Sequence, residues 1–221
     1  MNTQLDHLVV AAHTLEQGVA WCEATLGVTP GPGGRHVLFG THNRLLKIAT
    51  PVFEDAYLEI IAIDPQAAAP ARSRWFGLDD PALQQRLREA PQLVHAVARS
   101  PQLDMHRWGL IQVGLQPGEP VKAGRDTPQG PLAWEILVRP DGQPLCGGAL
   151  PTLIQWQGRH PAQAMPASGV TLRALTLRGV PARAAKVLRL RGVQVLDAAE
   201  GPAVEAVLAT PGGEVRLCSP A

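Results

Sequence analysis

The stretch Leu5-Asp6-His7-Leu8-Val9-Val10-Ala11-Ala12 decides the reading of this chain. It is a short apolar run with its polar residues at the start, the pattern of a largely buried strand. Working outward, Thr14 is placed as a helix N-cap. Leu15, Val19, Trp21, Cys22 and Leu26 then fall at helical spacings, and Gly27 is a natural stop. Thr29-Pro30-Gly31-Pro32-Gly33-Gly34 reads as a loop. Val37-Leu38-Phe39 reads as a strand, Gly40-Thr41-His42-Asn43 as an interruption, and Leu45-Leu46-Lys47-Ile48 as a further strand. Tyr57-Leu58-Glu59-Ile60-Ile61-Ala62-Ile63 is a strand ended by Asp64-Pro65. The order is β-α-β-β-β.

The same order starts again at Leu93-Val94-His95-Ala96-Val97-Ala98, which carries His at its third position as Leu5-Asp6-His7 does. A helix over 103–111, a Gly/Pro-rich excursion over 114–127 and strands over 132–138 and 151–156 follow. A third, shorter copy begins at Val170, with a strand over 172–177, a helix over 181–190 and three more strands. An internal repeat of this length outranks any single motif. The expected division is a first module over 4–65, a linker and connecting helix over 66–91, a second module over 92–165 and a third over 169–219, an α+β fold of repeated βαβββ units.

Composition narrows the function classes. The 221 residues are 45% hydrophobic and 18% charged with a net charge of +1, which fits a globular core and excludes a wholly disordered chain. The balanced charge and scarce aromatics (five Trp, three Phe, one Tyr) argue against a nucleic-acid partner. No apolar run reaches the roughly 18 residues that a bilayer span needs, and the N-terminus has no secretion-signal pattern. The expectation is a cytoplasmic protein with no membrane partner. Three distant cysteines, Cys22, Cys146 and Cys218, are read as buried spectator thiols rather than a disulfide framework.

Aligning the copies matches His7 with His95, and Glu59 with Gln155; the third copy offers Ala174 and Arg216. A carboxylate and imidazoles on apolar strands are costly to bury unless paired or metal-bound. Two His and one Glu suit Zn²⁺, Fe²⁺, Mn²⁺ or Ni²⁺, and the equal alternative is a His hydrogen-bonded to Glu in a filled core. His36 and His42 either face a cavity, as substrate-orienting or acid–base groups, or are solvated turn residues; the cavity is preferred for His42. Arg125 either holds an anionic substrate group or lies on an exposed loop. His13 and His106 are read as surface residues, and His160 as a turn cap.

Leu5-Asp6-His7-Leu8-Val9, the run from Gly33-Gly34-Arg35-His36 through Phe39-Gly40-Thr41-His42-Asn43-Arg44-Leu45-Leu46, and Tyr57-Leu58-Glu59-Ile60-Ile61 resemble the glyoxalase-like domain of the vicinal oxygen chelate superfamily. Arg125-Asp126-Thr127-Pro128 leading to Trp134, and Leu150-Pro151-Thr152-Leu153-Ile154-Gln155-Trp156 with His160-Pro161, are similar to its second half. The resemblance implies paired modules forming a cupped, incomplete mixed sheet. It also implies a divalent metal held by His7, Glu59, His95 and Gln155, with the amide of Gln155 where many relatives have Glu. Glu59 and His42 are then the catalytic candidates, and His36, Asn43, Arg125 and Trp134 the substrate-binding ones.

Two functions stay open. One is a metal-dependent enzyme of lyase, isomerase or dioxygenase type acting on a small oxygenated organic substrate. The other is a non-catalytic small-molecule binder of the same fold. A homodimer is expected, because an unpaired third module leaves an apolar sheet face to cover.

Overall fold

The computed structural model describes residues 2–128, 130–198 and 200–220. The first module runs through β1 (Gln4–Ala11), α1 (Leu15–Leu26), β2 (Arg35–His36), β3 (Thr41–Lys47) and β4 (Tyr57–Ile63). α1 starts where expected: the Thr14 hydroxyl accepts from the Gln17 N–H at 3.1 Å, and Gly27 closes it with φ 72°. The strand expected at Val37-Leu38-Phe39 is instead a 3₁₀ turn, because Gly40 adopts φ 59° and bends the chain. Val37 is accordingly left 85% exposed.

A linker and the amphipathic helix α2 (Pro81–Glu89), which buries Leu83 and Leu87, lead to the second module. It comprises β5 (Gln92–Arg99), α3 (Leu103–Gln112), β6 (Glu119–Arg125), β7 (Leu132–Val138) and β8 (Thr152–Gln157). The Gly/Pro-rich excursion therefore contains a strand the sequence pattern hid. β6 pairs only with β7, so it is an edge strand, where Pro120 withholds no needed ladder bond.

These eight strands form one sheet in the order β2-β3-β4-β1-β5-β8-β7-β6. β1 and β5 run antiparallel at its centre, and each half is a mirror of the other in strand order. The sheet curves until its ends nearly meet, where Arg125 Nη1 on β6 donates to Asn43 Oδ1 on β3 at 3.3 Å. Side-chain alternation then assigns two faces. Leu8, Val10, Leu58 and Ile60 point outward into the main core, whereas Val9, Ala11, Ile61, Val97, Ile136 and Ile154 line the concave side. α1 lies close on the outer face: a Cβ at Gly18 would fall 2.4 Å from Ile60 Cγ2.

The third unit comprises β9 (Thr171–Arg178), α4 (Ala182–Leu188), β10 (Gln194–Leu196), β11 (Val204–Thr210) and β12 (Gly213–Cys218). The βαβββ element order is as expected, but the strand order β10-β9-β11-β12 is not that of the first two modules. β9 lies inside its sheet, parallel to β10 and antiparallel to β11, whereas β1 is parallel to the last strand of its module. The unit appends itself to the outer face of the large sheet. Leu172, Leu175, Leu177, Ala206 and Leu208 join the same core as Leu8 and Val10. Backbone bonds from Thr3 N to Leu188 O (3.1 Å) and from Leu172 N to Ile48 O (2.9 Å) fasten it. The apolar face that motivated a homodimer is thus covered by the chain itself. No helix among the described residues is long and apolar enough to cross a membrane.

Candidate functional site

The concave side of the sheet is a cup, and β1 supplies its centre. The pairing of β1 with β5 slips between Leu5 and His7, so Asp6 is the extra residue of a bulge. The slip lets Leu5 join the outer core while His7 faces inward. It also leaves Asp6, fully buried, free to reach the cup: Oδ1 lies 2.7 Å from His7 Nδ1, and Oδ2 accepts from Trp156 Nε1 at 2.8 Å. His160 Nε2 is 3.0 Å from the same Oδ2.

On the other side, His7 Nε2 is 3.5 Å from Glu59 Oε2, and Tyr57 stacks on the imidazole with centroids 4.6 Å apart. Asn43 Nδ2 donates to Glu59 Oε1 at 2.6 Å, and its Oδ1 accepts from the Gly34 N–H at 2.8 Å and from Arg125. His36 is held by Thr41 Oγ1 at 3.0 Å, with Nε2 3.9 Å from Glu59 Oε1. Trp75, Phe76, Trp134 and Ile154 complete the walls around a cavity of about 30 Å³. Trp75 Nε1 is buried without a partner among the described residues.

The electrostatics follow from this wiring. Burial opposes a charge on His7, but its bonds to Asp6 and Glu59 outweigh burial and lift its pKa from 6.5 to about 9. Burial would raise the two carboxyls. The His160 and His7 contacts nevertheless hold Asp6 far below the usual range, and His7, His36 and Asn43 hold Glu59 near 2. At neutral pH the centre is therefore carboxylate–imidazolium–carboxylate. His36 is the opposite case. Burial dominates, and Arg125, His7 and His42 add to it, bringing its pKa down to about 4 against the opposing pull of Glu59.

The sequence-based metal set does not assemble. His95 faces inward, but the Thr152 N–H donates to its Nε2 at 3.1 Å. That bond consumes the Nε2 lone pair, so Nδ1 carries the proton and donates to Gly148 O at 3.0 Å. Burial pushes the His95 pKa down to about 4, and neither nitrogen is left for a metal. Gln155 lies one residue out of phase with the cup. Its neighbours Ile154 and Trp156 face inward, while its own Oε1 accepts from the Leu103 N–H at 2.8 Å, at the start of α3. The residue that does correspond to Glu59 is Thr152, because Val9 pairs with Glu59 and Val97 with Thr152. Among the described residues no group of three or more His, Cys, Asp or Glu is arranged to hold a metal ion. The donor set present does not fit the four-ligand centre.

The remaining expectations divide by strand parity. Asn43, His36, Arg125 and Trp134 line the cup. His42 does not: its register partner on β4 is Ala62, which belongs to the outer core, so His42 points away from Glu59. Arg125 sits on β6 rather than on an exposed loop. His106, expected at the surface, is buried on Ser100 Oγ at 2.8 Å. His13 is exposed, and His160 caps its turn by accepting from the Ala162 N–H at 3.2 Å, in addition to meeting Asp6. Of the thiols, Cys22 is buried, Cys146 half-buried and Cys218 exposed, and all three are free.

The sequence reading missed Asp6, Tyr57, Trp75 and Trp156. Asp6 carried a signal, an acid on a strand otherwise fit for burial, but a bulge leaves no mark in the pattern. Trp156 was hidden by the one-residue error at Gln155, which turns every side chain of β8 to the wrong face.

A family model described as "Glyoxalase-like domain" matches residues 5–190. Comparison with curated proteins gives no match. Among solved structures, a hypothetical protein from Staphylococcus aureus is similar with a TM-score of 0.60 at 13% identity, over 99% of this chain and 86% of that one. Methylmalonyl-CoA epimerase of Streptomyces coelicolor gives 0.43 at 18% identity, over 71% of this chain and 94% of that one. The Mycobacterium tuberculosis epimerase gives 0.40 at 16%, over 73% and 91%.

Proposed function

This chain belongs to the glyoxalase-like domain family of the vicinal oxygen chelate superfamily, and from that premise we propose that it is an enzyme moving a proton on a small oxygenated organic substrate held in the cup. The observation that carries the reading is the buried Asp6–His7–Glu59 line, a preformed acid and base 3.5 Å apart between His7 Nε2 and Glu59 Oε2. Strongly perturbed titratable groups lining a cleft are candidates for a functional site.

In this reading Glu59 takes a proton from the carbon beside a substrate carbonyl. The C–H electron pair becomes the carbon–carbon double bond of an enolate, and the carbonyl oxygen takes the negative charge. Arg125 and the unpartnered Trp75 N–H are the donors placed to meet that oxygen. Return of the proton to the same carbon from the opposite face completes an epimerisation without net change in protons. A carboxyl held near 2 is a weak base at rest. A substrate wedged between His7 and Glu59 removes the contact that lowers it and strengthens the base where it is needed. Asp6 keeps His7 protonated and oriented.

The second reading is a non-catalytic binder of the same fold. It is favoured by the fact that both nitrogens of His7 and of His95 already have protein partners. The two are separated by following, by NMR in ²H₂O, exchange at the carbon next to the carbonyl across a panel of 2-oxo and 3-oxo acids. The enzyme reading expects exchange that Glu59→Gln abolishes while ligand binding persists. Binding with no exchange for any member of the panel would leave the binder.

A further inference from the structure

The cup is small, about 30 Å³, and shares wall residues with two larger cavities. One chamber, about 530 Å³, shares His36, Trp75 and Trp134 with the cup. The other, about 520 Å³, shares Leu45, Arg125 and Pro161. Either could take the body of a substrate whose reacting end enters the cup, but they differ in charge. The first holds Arg35 on Asp64 at 3.2 Å, and its Lys122 pairs with Glu135 at 3.5 Å, so its cations are compensated. Among the described residues the second is lined by Lys47 and Arg125 and by no acidic side chain. Among the described residues Lys47 Nζ has only the Met165 carbonyl, at 3.5 Å, and Arg125 only the Asn43 amide, and neither meets a carboxylate. Arg125 Nε is buried with no partner among the described residues. Between these cations the wall is apolar, with Leu45, Leu132 and Met165.

We propose that this second chamber is a binding subsite for the body of an elongated organic anion, with Lys47 and Arg125 taking its carboxylate or phosphate and Leu45, Leu132 and Met165 its hydrocarbon part. Arg125 lines both cavities and its Nε has no partner among the described residues, which puts the anionic group at the boundary, so that one molecule spans cup and chamber. Only the assignment of the reacting end rests on the proposed function. The chamber, about 520 Å³, is larger than the cup, so the length of the hydrocarbon part contributes to discrimination among substrates.

The test is calorimetric titration of the full chain with octanoate, octyl phosphate, 1-octanol, octylammonium and propionate. Octanoate or octyl phosphate is expected to bind at least tenfold tighter than 1-octanol; which of the two is tighter identifies the anion. Lys47→Met is expected to weaken the octyl anions at least fivefold and leave 1-octanol within twofold. Met165→Trp, or Ala164→Phe should the first fail to fold by circular dichroism, is expected to weaken the octyl anions and spare propionate. Leu38→Trp, which narrows the other chamber, is expected to change none of them. Equal affinity for anion and alcohol, or loss through Leu38→Trp but not through Met165→Trp, overturns the proposal. A protein that binds octanoate in this pattern yet exchanges no substrate proton keeps the subsite and sinks the proton-transfer reading.

Discussion

Thr152 Oγ1 lies 2.9 Å from His95 Nε2, in the place where, across the two-fold relation of the sheet, Glu59 faces His7. One half of the duplication therefore holds a charged pair and the other a neutral one. The hydroxyl and backbone N–H of Thr152 satisfy His95 as a core residue, while the carboxylate of Glu59 keeps a proton on His7. This asymmetry leaves the charged pair in the first module alone.

Imidazole NMR titration is the direct check on that asymmetry. His7 is expected to stay protonated well past neutrality, with a midpoint near 9, and His95 to be neutral above pH 5, with a midpoint near 4. Thr152→Glu places a carboxylate beside His95 and is expected to raise its midpoint above 6.5. Coincident titration of the two histidines contradicts the assignment.

Stability is expected to peak near pH 6.5 and to fall on both sides. His7 has a folded pKa raised above 6.5, so its contribution is complete below 6.5 and disappears as pH climbs through 9. His36 and His95 have folded pKa values lowered to about 4, so the unfolded chain binds their protons first and stability drains as pH falls from 6.5 to 4. Each of these fully buried groups contributes on the order of 3 kcal/mol across its window. Urea unfolding between pH 4 and 9 measures the curve, and a flat profile refutes it.

Asp6→Ala leaves the His7 imidazolium with Glu59 as its remaining carboxylate and removes the acceptor from the Trp156 N–H. A loss of about 3–5 kcal/mol is expected, the cost of breaking a buried pair from one side. It should come with a fall in the His7 pKa, read by the same NMR titration. A variant within 1 kcal/mol of the parent shows that the network contributes little to folding.

Gln155→Ala removes the acceptor for the Leu103 N–H at the start of α3 and nothing from the cup. The expected cost is about 1 kcal/mol, or roughly 2–4 °C in thermal midpoint. Ligand affinity should not change, and Gln155→Glu should not recruit zinc in calorimetry. Loss of ligand binding in Gln155→Ala returns that residue to the site.

Gly18→Ala drives a methyl against Ile60 and is expected to cost about 1–3 kcal/mol by overpacking the α1–β4 contact. The cup lies on the opposite face of β4, so binding should survive at temperatures where the variant remains folded.

The sequence alone determined what depends on local pattern. Apolar runs, the caps at Thr14 and Gly27 and the repeated element order identified the first two modules, and His7 and Glu59 stood out as charges with no local reason to be buried. Register and handedness of pairing were beyond it. A strand's side chains alternate with a period of two, so one residue of slip exchanged Gln155 for Trp156 and put His42 on the wrong face. A bulge, which only the partner strand reveals, brought Asp6 to His7. The third unit shows the same limit at larger scale. Its element order is legible, but where β9 sits in its sheet, and that the sheet covers the outer face of the first two modules, follows from which apolar surfaces meet once the chain is folded. Long-range pairing also decided whether two equivalent histidines would be a metal's ligands or not. Glu59 and Thr152 occupy matching places in the sheet, and nothing short of the sheet brings them into correspondence.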